Sequence, residues 1–376
     1  MSEVGGGWFA AGRKLALGLV MGWMGMAAQA AVVTDIAGRR VEVPAKVERI
    51  LLGEGRLFYA FALLEGKQPL ARIAGWQGDF RYLDPQTYAQ YKAKFPAIDH
   101  IPLIGKTNEE SVSAEKVLTL KPDIAVFSIA GHGPSLDNPI VKQLEAARVP
   151  VIFVDFRIKP MENTIPSLRI MGKALQREAT AERFIRFYQE QLRAVTGPVS
   201  AIPAAKRPTV FLDVRAGAFD HVASAGKGSL GEMVDAAGGR NIGDTLLPIA
   251  LGEVNMEKVL AMNPSVYIAT GAGAPDARTG LKFGADVSPA MARESLQRMA
   301  RRGHVGALAA VRNGNTYGAW HHFYNTPYHV VLIQQIAKWL HPARFARLDP
   351  QASWVRMHKE FLAIEPQGTY WVGGRP

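Results

Sequence analysis

The sequence predicts an α/β protein: two similar parallel-sheet lobes joined by one long helix, with a ligand cleft between them. Three observations carry that expectation. Short apolar runs alternate with helically spaced segments in both halves of the chain, the pattern of a parallel sheet with crossover helices. A unit also recurs: S-A-E-K-V-L-T-L-K-P-D-I-A-V-F at 113–127 aligns without gaps to N-M-E-K-V-L-A-M-N-P-S-V-Y-I-A at 255–269. Each copy reads as an N-cap, a short helix, a proline stop and an apolar strand. Between the two copies, residues 161–195 keep a helical period for longer than a crossover needs.

Taken in order, the elements begin with a leader. Arg13 and Lys14 precede an apolar run at 15–26, and Ala28-Gln29-Ala30 offers a small-residue cleavage site. The run is shorter than the ~20 residues of a membrane span, so export with cleavage near Ala30 is expected. Residues 34–44 (TDIAGRRVEVP) read as a hairpin turning at Ala37-Gly38. Strands are expected at 49–53, 72–75, 123–128 and 150–155, with helices at 56–64, 113–120 and 139–147. In the link, Ile165, Leu168, Met171 and Leu175, then Phe184, Tyr188, Leu192 and Val195, hold the helical spacing. A helix of about thirty residues would span ~45 Å, and 197–208 (GPVSAIPAAKRP) follows as a linker. Beyond it, strands are expected at 209–214 and 265–270, a helix at 230–237 ended by Gly238-Gly239, a turn and strand at 315–317, and a helix at 328–340 stopped by Pro342. The domain boundaries drawn from this are 1–30 leader, 31–160 N-terminal lobe, 161–206 link, 207–345 C-terminal lobe and 346–376 tail.

Composition narrows the function. The chain has no cysteine, which removes disulfides, thiol nucleophiles, thiolate metal sites and cysteine lipidation together. Its 44 basic and 33 acidic residues are interspersed without a basic tail or run, so the net charge of +11 suits an anionic small ligand or an acidic surface equally well, rather than nucleic acid. Catalytic signatures are weak. Gly53-Glu54-Gly55 lacks the third glycine of a dinucleotide loop, Gly271-Ala272-Gly273 runs into Ala-Pro, and neither G-x-S-x-G nor H-E-x-x-H occurs.

Further residues carry a family resemblance. They are T-D-x-x-G-R-x-V-x-V-P (34–44), R-I-L-L (49–52), E-K-V-L-x-L-K-P-D (115–123), A-G-G-R-N-I (237–242) and A-V-R-N-G-N-T-Y (310–317). In this order, behind a leader and around a long helix, they resemble the periplasmic substrate-binding proteins of ABC importers for iron–siderophore, haem and cobalamin. The resemblance runs from about residue 34 to 342, leaving 350–376 outside it. It implies a non-enzymatic, soluble, monomeric periplasmic protein that hands its ligand to a membrane permease and its ATPase, with no permanent cofactor. It also implies that Glu115 and Glu257, matched first-turn carboxylates of the repeat, dock on that permease.

In such a fold the ligand lies between the lobes, at loops following the carboxyl ends of strands. The residues singled out there are Arg56, Trp76, Arg81, Lys106, Arg215, Trp320, His322 and Tyr324. Aromatic surface with guanidinium forks suits an anionic metal chelate, an iron(III)–siderophore first. No protein metal ligand is assigned, with His322 and Tyr324 as weak candidates to complete a metal's coordination. Haem-binding relatives carry a tyrosine on the loop before the E-K-V-L helix. Here 105–110 (GKTNEE) has neither Tyr nor His, which leaves Tyr82 or His132 as substitutes. Trp76 and Trp320 keep cobalamin open. A free divalent-metal binder using His100, His132, His221, His322 and Asp155, and an exported metal-dependent hydrolase, are the remaining alternatives.

Overall fold

The computed structural model describes Met1, residues 31–273 and residues 280–373. The leader run and its cleavage site therefore lie outside the described residues. The strands are β1 (Ala31–Thr34), β2 (Arg40–Val43), β3 (Ile50–Leu52), β4 (Ile73–Gln77), β5 (Leu103–Gly105), β6 (Ile124–Ser128) and β7 (Val151–Val154) in the first half. The second half holds β8 (Thr209–Asp213), β9 (Ala223–Ala225), β10 (Arg240–Asn241), β11 (Leu251–Glu253), β12 (Val266–Gly271), β13 (Thr316–Trp320) and β14 (Trp371–Gly373). Two five-stranded sheets result, ordered β5-β4-β3-β6-β7 and β10-β8-β12-β13-β14.

The first sheet is parallel throughout, and its strands read as continuous apolar runs because both faces are covered. Alternation along the strands divides the core. Leu51, Ala125, Phe127, Val151 and Phe153 face a cluster shared with Val117 and Leu144, under the helices Ala114–Thr119 and Pro139–Ala146. Ile50, Leu52, Val126, Ile152 and Val154 face the opposite way, into a cluster that continues through the second sheet. The hairpin β1–β2 turns at Gly38 (φ 79°) and covers the exposed edge of β7: the Ile36 amide donates to the Phe153 carbonyl at 3.1 Å.

The repeat occupies equivalent places. Ser113 caps the helix Ala114–Thr119 ahead of β6, and Asn255 caps Met256–Met262 ahead of β12. Strand β6 pairs with the first strand of its sheet, β3, and β12 with the first of its own, β8. In both sheets the chain reverses its direction of winding between those two strands, which opens a crevice at their carboxyl ends.

The link departs from a single uninterrupted helix. It is two helices, Pro160–Ala174 and Glu178–Ser200, parted at 175–177. Gln176 adopts a left-handed conformation (φ 58°) and the Arg177 amide returns to the Gly172 carbonyl at 2.7 Å. The bend lets the helices pack on each other. Gly172 has room for no side chain, since a Cβ there would sit 2.6 Å from that of Ala181, and Arg169 reaches Glu182 at 2.7 Å. Hydrophobic spacing survives such a bend, so the period alone could not reveal it. The second helix also runs through Gly197 and Pro198 to Ser200, so the first four residues of the expected linker are helical. The tail carries the packing helix expected of it, Pro350–Phe361, and its aromatic-rich end forms β14, antiparallel to β13 at the edge of the second sheet.

Candidate functional site

At the reversal point of the first sheet, β3 ends in Gly53-Glu54-Gly55-Arg56. A Cβ on Gly53 would meet the Phe127 ring at 2.1 Å, and one on Gly55 the Gln77 carbonyl at 2.2 Å. Only glycine permits this turn, which drives Arg56 into the interior. Arg56 is 2% exposed and fully bonded. Its Nε donates to Asp79 at 2.9 Å, and its terminal nitrogens donate to Glu54 at 2.8 Å and the Tyr324 hydroxyl at 2.9 Å. Glu54 and Asp79 are buried carboxylates on the same guanidinium, and their titration is split. Burial lifts Asp79 to about 7, with the charge of Glu54 adding to it. Glu54 stays below the usual range; burial is the largest influence and opposes ionisation, but Arg56, His132 and Arg157 together outweigh it.

The crevice of the second sheet supplies the facing wall. Arg215 follows β8 in a left-handed conformation (φ 53°), and its amide donates to Thr270 Oγ1 at 3.0 Å. The Thr270 hydroxyl also lies 3.1 Å from His321 Nδ1. His322 donates through Nε2 to the Leu83 carbonyl at 3.1 Å, and its Nδ1 lies 3.4 Å from Arg56. Both ring nitrogens of His322 are thus engaged within the protein. The Tyr324 ring stacks on His321 at 4.5 Å and lies under Arg157, whose Cζ is 5.2 Å from its centroid. His132 donates through Nδ1 to the Thr107 carbonyl at 2.8 Å.

Arg56, His132, Arg215, His321, His322 and Tyr324 line one cleft of about 100 Å³ between the sheets. Burial, and after it neighbouring positive charge, holds His321 and His322 well below the ordinary imidazole value, and His132 also below it. Burial lowers Arg215 as well. Arg215 is within ion-pairing distance of no carboxylate among the described residues, while Arg157 lines a separate, smaller hollow with Glu54. The cleft therefore offers neutral imidazoles, a phenol and unneutralised guanidinium charge, a surface for an anion. A larger hollow of about 250 Å³ lies beside the helix Pro289–Ala300 and β14, and shares no lining residue with this cleft.

The structure brings together four of the residues singled out from sequence: Arg56, Arg215, His322 and Tyr324. The other four are elsewhere. Trp76 is core, edge-on to Phe58 at 5.4 Å and to Phe80 at 5.8 Å. Trp320 is equally buried, packed against Tyr59 and Tyr370. Each stands at or next to the end of its strand with its side chain turned into the apolar core, so neither presents a surface to a corrin. Arg81 is exposed over the Tyr88 ring, and Lys106 is exposed on a loop whose amide binds Ser111. Neither lines the cleft. Sequence reading passed over Arg157 and did not single out Asp79 or His321. Arg157 stands just past the end of β7, so the rule that ligands sit at carboxyl ends of strands was enough to find it.

Among the described residues no group of three or more His, Asp or Glu side chains is placed to hold a metal ion. No helix among them is long and apolar enough to cross a membrane. Glu115 and Glu257 are exposed in the first turns of their helices and form no ion pair among the described residues.

Two lobes wound alike, with a charged cleft where both reverse, define a solute-binding protein. The chain belongs to the periplasmic binding protein family, which it matches over residues 84–319. It is 25% identical to the TroA-like periplasmic binding protein FepB of Veillonella parvula, whose crystal structure superposes with a TM-score of 0.80 over 92% of this chain and 99% of that one. It is 21% identical to the molybdate-binding protein MolA of Haemophilus influenzae over 63% of this chain and 68% of MolA. The molybdate-bound MolA structure superposes with a TM-score of 0.69, at 15% identity, covering 90% of this chain and 99% of that one. Helicobacter pylori CeuE with Ni(II) bound gives a TM-score of 0.66 at 14% identity, covering 89% and 97%. The family binds substrates rather than transforming them, and homologues are components of ABC transporters.

Proposed function

We propose that this chain is the periplasmic solute-binding component of an ABC importer, and that its ligand is a compact anion of the metal-oxyanion class. The observation that carries the reading is the Arg215 guanidinium, without a carboxylate partner among the described residues, on the wall of a cleft of about 100 Å³ that Arg56 also lines. Drug-sized ligands occupy roughly 300–1,000 Å³, so this cleft suits an ion of a few atoms. Molybdate on MolA is the corresponding ligand of a relative. The Tyr324 hydroxyl, which accepts from Arg56 and keeps its own proton free, would bond its oxygens, and the arginines its charge. The ligand is cargo, released to a permease and its ATPase, and the protein works as a soluble monomer after its leader is cleaved near Ala30. Glu115 and Glu257 are the docking feet in this reading, at matched positions on two lobes that face one pseudo-twofold partner.

A second reading is favoured by Tyr82 and Phe219, exposed aromatics at 47% and 40%. Tyr82 lines the cleft, and Phe219 lies under Arg215 and stacks on His221 at 5.1 Å. An iron(III)–siderophore could rest its charged centre on the arginines and its planar arms on these rings. Titration calorimetry with molybdate, tungstate, a ferric catecholate, haem, nickel–histidine and free Zn²⁺ separates the readings. Binding of the oxyanions alone supports the first, the ferric chelate alone the second, and Zn²⁺ alone overturns both.

A further inference from the structure

We infer that the C-terminal segment 350–373 is a clasp: it fixes the position of one lobe against the other and holds the ligand loop 321–325 in place. Its root is in the second sheet. Strand β14 lies against β13, which leads directly into that loop, and the Trp320 amide donates to the Tyr370 carbonyl at 2.7 Å. The Thr369 and Gly284 backbones exchange hydrogen bonds of 2.9 and 3.1 Å. Trp354 on the helix packs against Phe323 inside the loop at 5.6 Å and against Tyr370 at 4.7 Å.

Its reach is to the first lobe. Lys67, beyond the helix Phe58–Glu65, donates to the Leu362 carbonyl at 2.7 Å. Lys94, at the end of the helix Pro85–Lys94, donates to the Ala363 carbonyl, and Gln90 on the same helix to Glu365 at 3.3 Å. Under these bonds Leu362 and Ile364 close an apolar seam with Tyr59, Tyr91 and Tyr328. The segment also packs on the link, with Phe361 edge-on to Phe184 at 5.1 Å and Arg356 on Glu190 at 2.9 Å.

The link is pinned to the first lobe at its bend, where Arg72 donates to the Leu175 carbonyl at 2.9 Å, so by itself it ties the lobes along one line only. The tail closes a second connection between the lobes, and two separated connections remove the rotation that one permits. The cleft is sensitive to that rotation. Arg56 and Leu83 of the first lobe bond Tyr324 and His322 of the second directly. Gln86 of the first lobe is seated where Cβ atoms on Gly273 and Gly284 would collide with it. The tail thus supplies a cleft already assembled before ligand arrives, which lowers the ordering cost of binding.

The test uses the natural lack of cysteine. Lys116→Cys and Lys258→Cys, both exposed, carry spin labels on the two repeat helices, and pulsed dipolar spectroscopy reads the lobe-to-lobe distance. With the natural tail, one narrow distribution is expected, unchanged by molybdate. With K67A/K94A/L362A/I364A, which releases the grip on the first lobe and leaves β14 seated, the distribution should broaden at least twofold. An unchanged width overturns the inference. Should that variant fail to fold, K67A/K94A decides by hydrogen exchange: faster exchange across 362–370 supports the clasp, and unchanged rates overturn it. Both readouts need no ligand, so they stand even if the ligand class proposed above is wrong.

Discussion

Replacing Arg56 by methionine tests the electrostatic logic of the cleft. The change keeps an unbranched side chain and removes the one guanidinium that Glu54 and Asp79 share. All three residues are at most 3% exposed, so water cannot compensate. Removing one partner from a buried ion pair costs about 3–5 kcal/mol, and here two carboxylates are left facing each other. The cost has a definite pH dependence. Asp79 sits at about 7 even beside Arg56. An acid raised in the folded state keeps its proton where the unfolded chain, with an ordinary value near 4, has lost it. Its contribution to stability is therefore present at low pH and is lost as pH rises from about 4 through 7. Without Arg56 the proton is held more strongly, so Arg56→Met should cost most at pH 8 and about 1.4 kcal/mol less at pH 6, one further pH unit of proton binding at ~1.4 kcal/mol per unit. Urea unfolding followed by tryptophan fluorescence measures this, because Trp76 and Trp320 are buried. E54Q/R56M/D79N should recover most of the loss. A penalty below about 1 kcal/mol at pH 8, or the same penalty at both pH values, would refute the argument.

Arg215→Ala should weaken molybdate binding about 10- to 100-fold in calorimetry, the equivalent of one charge-assisted hydrogen bond, while leaving the urea midpoint in place. Molybdate affinity of the unmodified protein should rise as pH falls from 8 to 6: Asp79 takes up a proton near 7, and the cleft becomes more positive. Asp79→Asn should flatten that profile. Gly284→Ala should cost about 1–3 kcal/mol in unfolding, because φ is 134° there and the new Cβ would lie 2.3 Å from Gln86 Oε1. Gln86→Ala should restore part of it. Glu115→Ala with Glu257→Ala should leave molybdate affinity unchanged and slow uptake by vesicles containing the cognate permease; normal uptake would remove the docking assignment.

Local chemistry made much of the fold legible. Ser113 and Asn255 announce helices, proline stops them, and the runs I-L-L and V-I-F-V are buried strands because no other element hides every side chain in so few residues. The same 113–127 and 255–269 repeat gave two lobes of like winding, and so the place of the cleft. Arg56 and Arg215 were found because each follows a strand at that place. Trp76 and Trp320 satisfied the same rule and failed, since which face a side chain near a strand's end takes depends on the sheet's register.

By itself, then, the sequence determined the α/β class, the duplication and the loops from which a site could be built, all consequences of spacing within about fifteen residues. Tertiary structure alone decided that the link bends at Gln176, that Asp79 and Glu54 share one arginine across 25 residues, and that the tail reaches back to Lys67 and Lys94. Those outcomes rest on contacts between distant segments in a low-dielectric interior. There a carboxylate's charge depends on which guanidinium arrives beside it, and no local pattern records that arrival.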